Sequence, residues 1–247
     1  MLNMLSYLMS GGTLALYALL ILVLRLPIVC ISLSMHESAH GYAAWKMGDP
    51  TARNFGRITM NPLKHFSLLG TLSMIFLGIG WAKPVPINVR YFKNPKKGMA
   101  WTAAAGPISN LLLAFAGMLL LRIFDIVFFD GYFYYMSGGI ISVLFESGAE
   151  LSYKLKFVLM LFLEMLAVMN ISLALFNLIP IPPFDGSRIA FALLPDRIYF
   201  GVMKYESIIM LAFIFLFYRF GDGFSDIVYW VFGGIYDLLM IATRFLV

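Results

Sequence analysis

Two of the chain's three histidines stand in His36-Glu37-Ser38-Ala39-His40. On a helix, positions four apart lie on one face. Both imidazoles of this H-E-x-x-H pattern can therefore bind one ion, and zinc is the ion such a pair suits. Glu37 sits beside them, placed to take a proton from a water activated at the metal. A catalytic zinc needs a third protein ligand. The apolar runs and their edges offer Cys30, Glu164, Asp185 and Asp237. Asp185 closes the stretch Asn177-Leu178-Ile179-Pro180-Ile181-Pro182-Pro183-Phe184-Asp185-Gly186. Alone it reads as a helix cap or turn residue. It follows three prolines that end a helix, in a chain that also carries H-E-x-x-H. In that company it reads as the third ligand.

The elements that must hold these residues are apolar. Of 247 residues, 61% are hydrophobic and 13% are charged. A soluble fold of this length could not hide that much apolar surface, so the chain reads as a polytopic α-helical membrane protein. Runs at about 13–35, 99–121, 156–179, 203–220 and 224–246 are each long enough to cross a bilayer. The run 66–82 is short and carries Gly70, Gly78 and Gly80, and the run 123–145 is broken by Asp125, Asp130 and Gly131. The net charge of +5 sits in loops between apolar runs, which points to membrane orientation and not to nucleic acid. The single cysteine, Cys30, excludes an intrachain disulfide and a cysteine zinc cluster. No basic leader or small-residue cleavage site precedes the first apolar run, so that run reads as retained.

Charge suggests the topology. Segment 46–98 holds nine Lys and Arg and one acid, Asp49. A crossing at 66–82 would place one of its two basic flanks outside, against the positive-inside tendency. That run is therefore expected to be re-entrant, which gives five transmembrane helices, or six if it also crosses. The N-terminus is expected outside, and the histidines and the C-terminus inside. Residues 54–60 and 85–92 read as short strands. The whole chain, 1–247, reads as one membrane domain, with a core at about 13–195 and C-terminal spans at 203–246.

These landmarks together resemble the site-2 protease family of intramembrane zinc metalloproteases. Besides the two stretches quoted above, the resemblance rests on Gly48-Asp49-Pro50-Thr51-Ala52, and on the run Gly56-Arg57-Ile58-Thr59-Met60-Asn61-Pro62-Leu63-Lys64-His65. It also rests on Gly80-Trp81-Ala82-Lys83-Pro84-Val85-Pro86 and on Ala105-Gly106-Pro107-Ile108-Ser109-Asn110. It implies a small bacterial member without PDZ or CBS domains, in the cell's inner membrane. It implies zinc on His36, His40 and Asp185, with Glu37 as acid/base and Asn177 holding the substrate or its oxyanion. The implied partner, besides the lipid bilayer, is a single-span membrane protein cut within or near its transmembrane segment.

Other polar residues have plainer readings. His65 orients the basic loop. Asn110 either bonds the catalytic helix or glues helices together. Asn170, seven residues before Asn177, supports the site or the packing. A different membrane zinc protease would use a Glu as third ligand, here Glu164, but no matching motif surrounds it. A zinc-binding transporter would show internal repeats, and none is found; a zinc-binding scaffold would keep its function in Glu37→Gln, where a protease would lose it. Arg25 lies 11 residues before His36 and Glu164 lies 13 before Asn177, which places both at similar depth; there they either form an ion pair or stand apart, with Arg25 snorkelling outward and Glu164 partly protonated.

Overall fold

The computed structural model describes residues 9–243, apart from 10, 78–81, 132–143, 146–147, 149, 193, 196–200, 203 and 221. The described residues are mostly helical. In chain order the helices are α1 (Gly12–Lys46), α2 (Thr51–Asn54), α3 (Leu68–Leu77), α4 (Pro95–Phe129), α5 (Leu151–Asn177), α6 (Asp185–Phe191), α7 (Glu206–Phe220) and α8 (Asp222–Ala242). Four of them, α1, α4, α5 and α8, contain stretches long and apolar enough to cross a membrane. With so many large apolar side chains turned outward, from Leu16 and Leu19 on α1 to Trp230 and Ile241 on α8, the chain is an integral membrane protein.

The bundle is built on α4. Its buried residues Ala103, Gly106, Asn110, Ala114, Gly117 and Leu121 recur every three or four positions, one stripe of mostly small side chains. They let α1 and α5 approach closely on either side. Met160, Leu163, Ala167 and Ile171 of α5 face this stripe and are fully or nearly buried. Asn94 starts α4 by accepting the Lys97 N–H, and Pro95 follows at the first helical position. Pro27 and Pro107 lie inside α1 and α4. Each removes one backbone bond, which close neighbouring helices tolerate.

Three expectations are corrected here. The first concerns strands, for none occurs among the described residues. Residues 51–54 form α2, and 82–88 run extended without a ladder before a 3-10 turn at Val89–Tyr91. The backbone donors that a ladder would use go to side-chain carboxylates instead. The Asn88 N–H donates to Asp49 Oδ2 at 2.7 Å, and the Val85 N–H donates to Glu37 Oε2 at 3.0 Å. The prolines at 84 and 86 supply no donor at all.

The second correction concerns the last helices. The run 203–220 is represented by α7, and residues 203 and 221 that border it fall outside the described residues. Phe224 at the start of α8 packs against Phe176 at the end of α5. Near the other end of α8, Tyr236 donates to Asp125 at 3.0 Å, and Thr243 accepts from Arg122 Nε at 2.8 Å. So α8 runs parallel to α4, and its C-terminal end lies on the side of the bundle away from the histidines. Arg122 and Asp125 are a buried ion pair at 2.9 Å, and Tyr236 and Thr243 supply the further bonds that such a pair needs.

The third concerns the pairing of Arg25 with Glu164: the two form no ion pair with each other. Tyr229 of α8 lies within electrostatic reach of both charges. Of the two ambiguous runs, α4 carries the first part of 123–145 to Phe129, and 132–143 falls outside the described residues. The run 66–82 contains α3, ten residues long, and its two ends meet: the Lys83 N–H donates to the His65 carbonyl at 2.9 Å.

Candidate metal centre

His36 and His40 lie on one face of α1, one turn apart, with their Nε2 atoms 3.0 Å from each other. Asp185, the first residue of α6, brings Oδ2 to 3.2 Å from each of them. The prolyl loop after α5 makes this meeting. Gly186 packs so tightly that a Cβ would stand 2.2 Å from the Leu178 carbonyl oxygen, so only glycine lets α6 fold back against the end of α5. Both imidazoles are over nine-tenths buried, and Asp185 is partly so. Burial pushes the Asp185 carboxyl up, but the two imidazoles against it outweigh this and hold the group well below the usual carboxylate range.

This donor set fits a small divalent cation. Ligand atoms at about 2.0–2.1 Å from a tetrahedral ion stand roughly 3.3 Å apart, close to the spacing seen here. The Asp185 Oδ2 atom is buried and has no hydrogen-bond partner. The His40 Nδ1 donates to the Thr102 carbonyl at 2.7 Å, which leaves its Nε2 lone pair facing the other two atoms. The His36 Nδ1 meets Asn110 Oδ1 at 2.5 Å. No other group of three His, Cys, Asp or Glu among the described residues converges in this way. Cys30, Glu164 and Asp237 are not brought to it.

Gly106 of α4 forms the floor of the centre. A Cβ there would stand 2.5 Å from His40 Nε2 and 2.6 Å from His36 Cε1. Gly106→Ala is therefore expected to push the rings apart and to lower zinc affinity at least tenfold, roughly what loss of a ligand-orienting contact costs. Metal content after dialysis against a weak chelator checks this, and wild-type retention would contradict it.

The remaining expected residues fall at different distances from the centre. Glu37 is half-buried, interacts electrostatically with His40, and has one carboxylate oxygen held by the Val85 N–H. Asn177 ends α5, and its amide nitrogen donates to the Leu173 carbonyl at 2.9 Å. Asn110 and Asn170 are fully buried and bonded to each other at 2.6 Å. His65 lies outside the group: its Nε2 is 2.9 Å from the Thr59 carbonyl and 3.4 Å from Ser38 Oγ, so it ties the 59–65 turn to α1. Sequence reasoning missed the Thr102 carbonyl, which carries no side-chain signal. It also missed Ser32, whose four-residue offset from His36 was the available clue.

The family model for peptidase family M50 matches residues 25–218. YwhC of Bacillus subtilis (strain 168), named as a zinc metalloprotease, is 38% identical over 187 residues, covering 76% of each chain. Rip2 of Mycobacterium tuberculosis (strain H37Rv), named likewise, is 27% identical over 210 residues, covering 82% of this chain and 70% of that one. No solved structure matches the chain. The chain belongs to peptidase family M50, the site-2 protease family, and is a zinc metalloprotease.

Proposed function

We propose that this protease hydrolyses peptide bonds within or near the transmembrane segment of a single-span membrane protein, with His36, His40 and Asp185 holding its zinc. The observation that carries the reading is the convergence of three buried ligand atoms at the end of a 35-residue apolar helix. When bound, zinc supplies Lewis acidity that lowers the pKa of water and polarises the scissile carbonyl. Glu37 takes a proton from the attacking water through the carboxylate oxygen that Val85 does not hold, and passes it to the leaving nitrogen. The second amide proton of Asn177 serves the oxyanion, the first being spent on Leu173. The substrate helix must unwind before its carbonyl can be attacked, because a helical carbonyl is already hydrogen-bonded.

The whole of 1–247 acts as one membrane domain with its core at 13–195. It sits in the bacterial inner membrane with the N-terminus outside and the centre toward the cytoplasm, as the nine basic residues of 46–98 favour. On this orientation the C-terminal end of α8 is also outside, and 66–82 enters and leaves on the cytoplasmic side. Cysteines placed at Lys64 and Lys83 in a Cys30→Ser background are expected to label equally from the cytoplasm. Labelling of one of them from outside would make 66–82 a crossing.

The function is tested by placing purified protein and a single-span substrate in the same liposomes. Cleavage is expected to stop on chelation and to return with zinc. Cleavage that persists in zinc-free protein would refute the reading.

A further inference from the structure

The two histidines of the centre are oriented by different means. His40 is fixed directly by a backbone carbonyl, that of Thr102. His36 meets a side-chain amide, that of Asn110, which could present either its oxygen or its nitrogen. Only the oxygen is useful. An acceptor at Nδ1 keeps the proton there and leaves the Nε2 lone pair for a metal, whereas a donor at Nδ1 would move the proton to Nε2 and block it.

The choice is made 60 residues further on. Asn170 Nδ2 lies 2.8 Å from the Leu166 carbonyl and 2.8 Å from Ser32 Oγ. A carbonyl only accepts, so the Asn170 NH2 must face Leu166, and its oxygen must face Asn110. That oxygen also only accepts, so Asn110 must present its NH2 to Asn170, at 2.6 Å, and its own oxygen to His36. Each link is fully determined by the one before it. All three side chains of the relay behind His36, Ser32, Asn110 and Asn170, are fully buried, so no solvent can supply a competing partner.

We infer that Asn170 is a positioning residue for metal binding: through the amide of Asn110 it sets the tautomer of His36, so that a backbone carbonyl of α5 dictates which nitrogen of an α1 histidine faces the metal. This rests on the reading of His36 as a zinc ligand. It gives the centre a dependence on helix packing, because the relay is complete only when α1, α4 and α5 are all seated.

The test uses the full chain purified in detergent. Zinc retention against graded chelators is measured for single and double variants, and the 15N signals of the imidazoles report the tautomer. Asn170→Ala is expected to weaken zinc binding about 10–100-fold, the range found for outer partners of metal ligands. Asn110→Asp offers an acceptor whichever way it turns, so it is expected to retain zinc, and so is Asn110→Asp combined with Asn170→Ala. A role in packing alone would not be rescued in this way. Wild-type retention in Asn170→Ala, or a double variant as weak as Asn170→Ala alone, would overturn the relay. Should Asn170→Ala not fold, the wild-type metal-free chain decides: neutral His36 with its proton on Nδ1 supports the relay, and a proton on Nε2 overturns it. Zinc retained by His36→Ala would mark a different failure, that of the ligand reading beneath it.

Discussion

Glu37→Gln is expected to reduce peptide hydrolysis by about 100- to 10,000-fold, the usual worth of a positioned acid/base, while zinc content stays at the wild-type level. The amide keeps the size and the acceptor of the carboxylate, so the bond from the Val85 N–H survives and the 82–88 stretch stays in place. What is lost is the ability to take a proton. Glu37 contributes no atom to the converging group, which consists of His36, His40 and Asp185. The outcome therefore separates proton transfer from metal binding. Paired zinc analysis and cleavage of a single-span substrate check it. Retained turnover would remove Glu37 from the chemistry, and lost zinc would make it a ligand.

Asp185→Ala and His36→Ala are expected to do the opposite, lowering zinc affinity by more than the roughly 100-fold ceiling for outer partners, with activity falling in step. A catalytic zinc held by three protein ligands has no spare one. Asp185→Ala also takes away the only negative charge of the group, leaving two imidazoles. The fold is expected to survive both changes. The core that joins α4 and α5 lies along Ala114, Met118, Leu163 and Ile171 and uses none of the three residues. Zinc titration of the metal-free variants is the measurement, with helix content as the control. The alternative third ligand makes a clear contrast: Glu164→Gln should leave zinc binding unchanged.

What could be read from the sequence depended on whether a residue's role was set by local spacing. His36 and His40 were legible because a helix converts a four-residue offset into a shared face. Asp185 was legible because three prolines must end α5 just before it. The strands expected at 54–60 and 85–92 were not there, although Ile58, Val85 and Val89 have the right propensity. Propensity for strands expresses packing on a pleated surface. Here Glu37 and Asp49, distant in sequence, took the backbone donors instead. The direction of α8 was equally hidden. Charge bias was used to orient it, whereas contacts through space, Phe224 with Phe176 and Tyr236 with Asp125, settle how it lies. Arg25 and Glu164 failed for a related reason. Residue counts give height along a helix but not which way each side chain turns around it. The orientation of Asn110 was beyond sequence altogether, since it follows from a carbonyl on another helix.

The most direct test of the centre is zinc-edge X-ray absorption on the purified Glu37→Gln protein, which is expected to keep its metal and remain inactive. The expected neighbours of the zinc are nitrogen and oxygen only, at about 2.0–2.1 Å, with the scattering of two imidazoles. A sulfur neighbour at about 2.3 Å, which would bring in Cys30, or the scattering of a single imidazole, would contradict it.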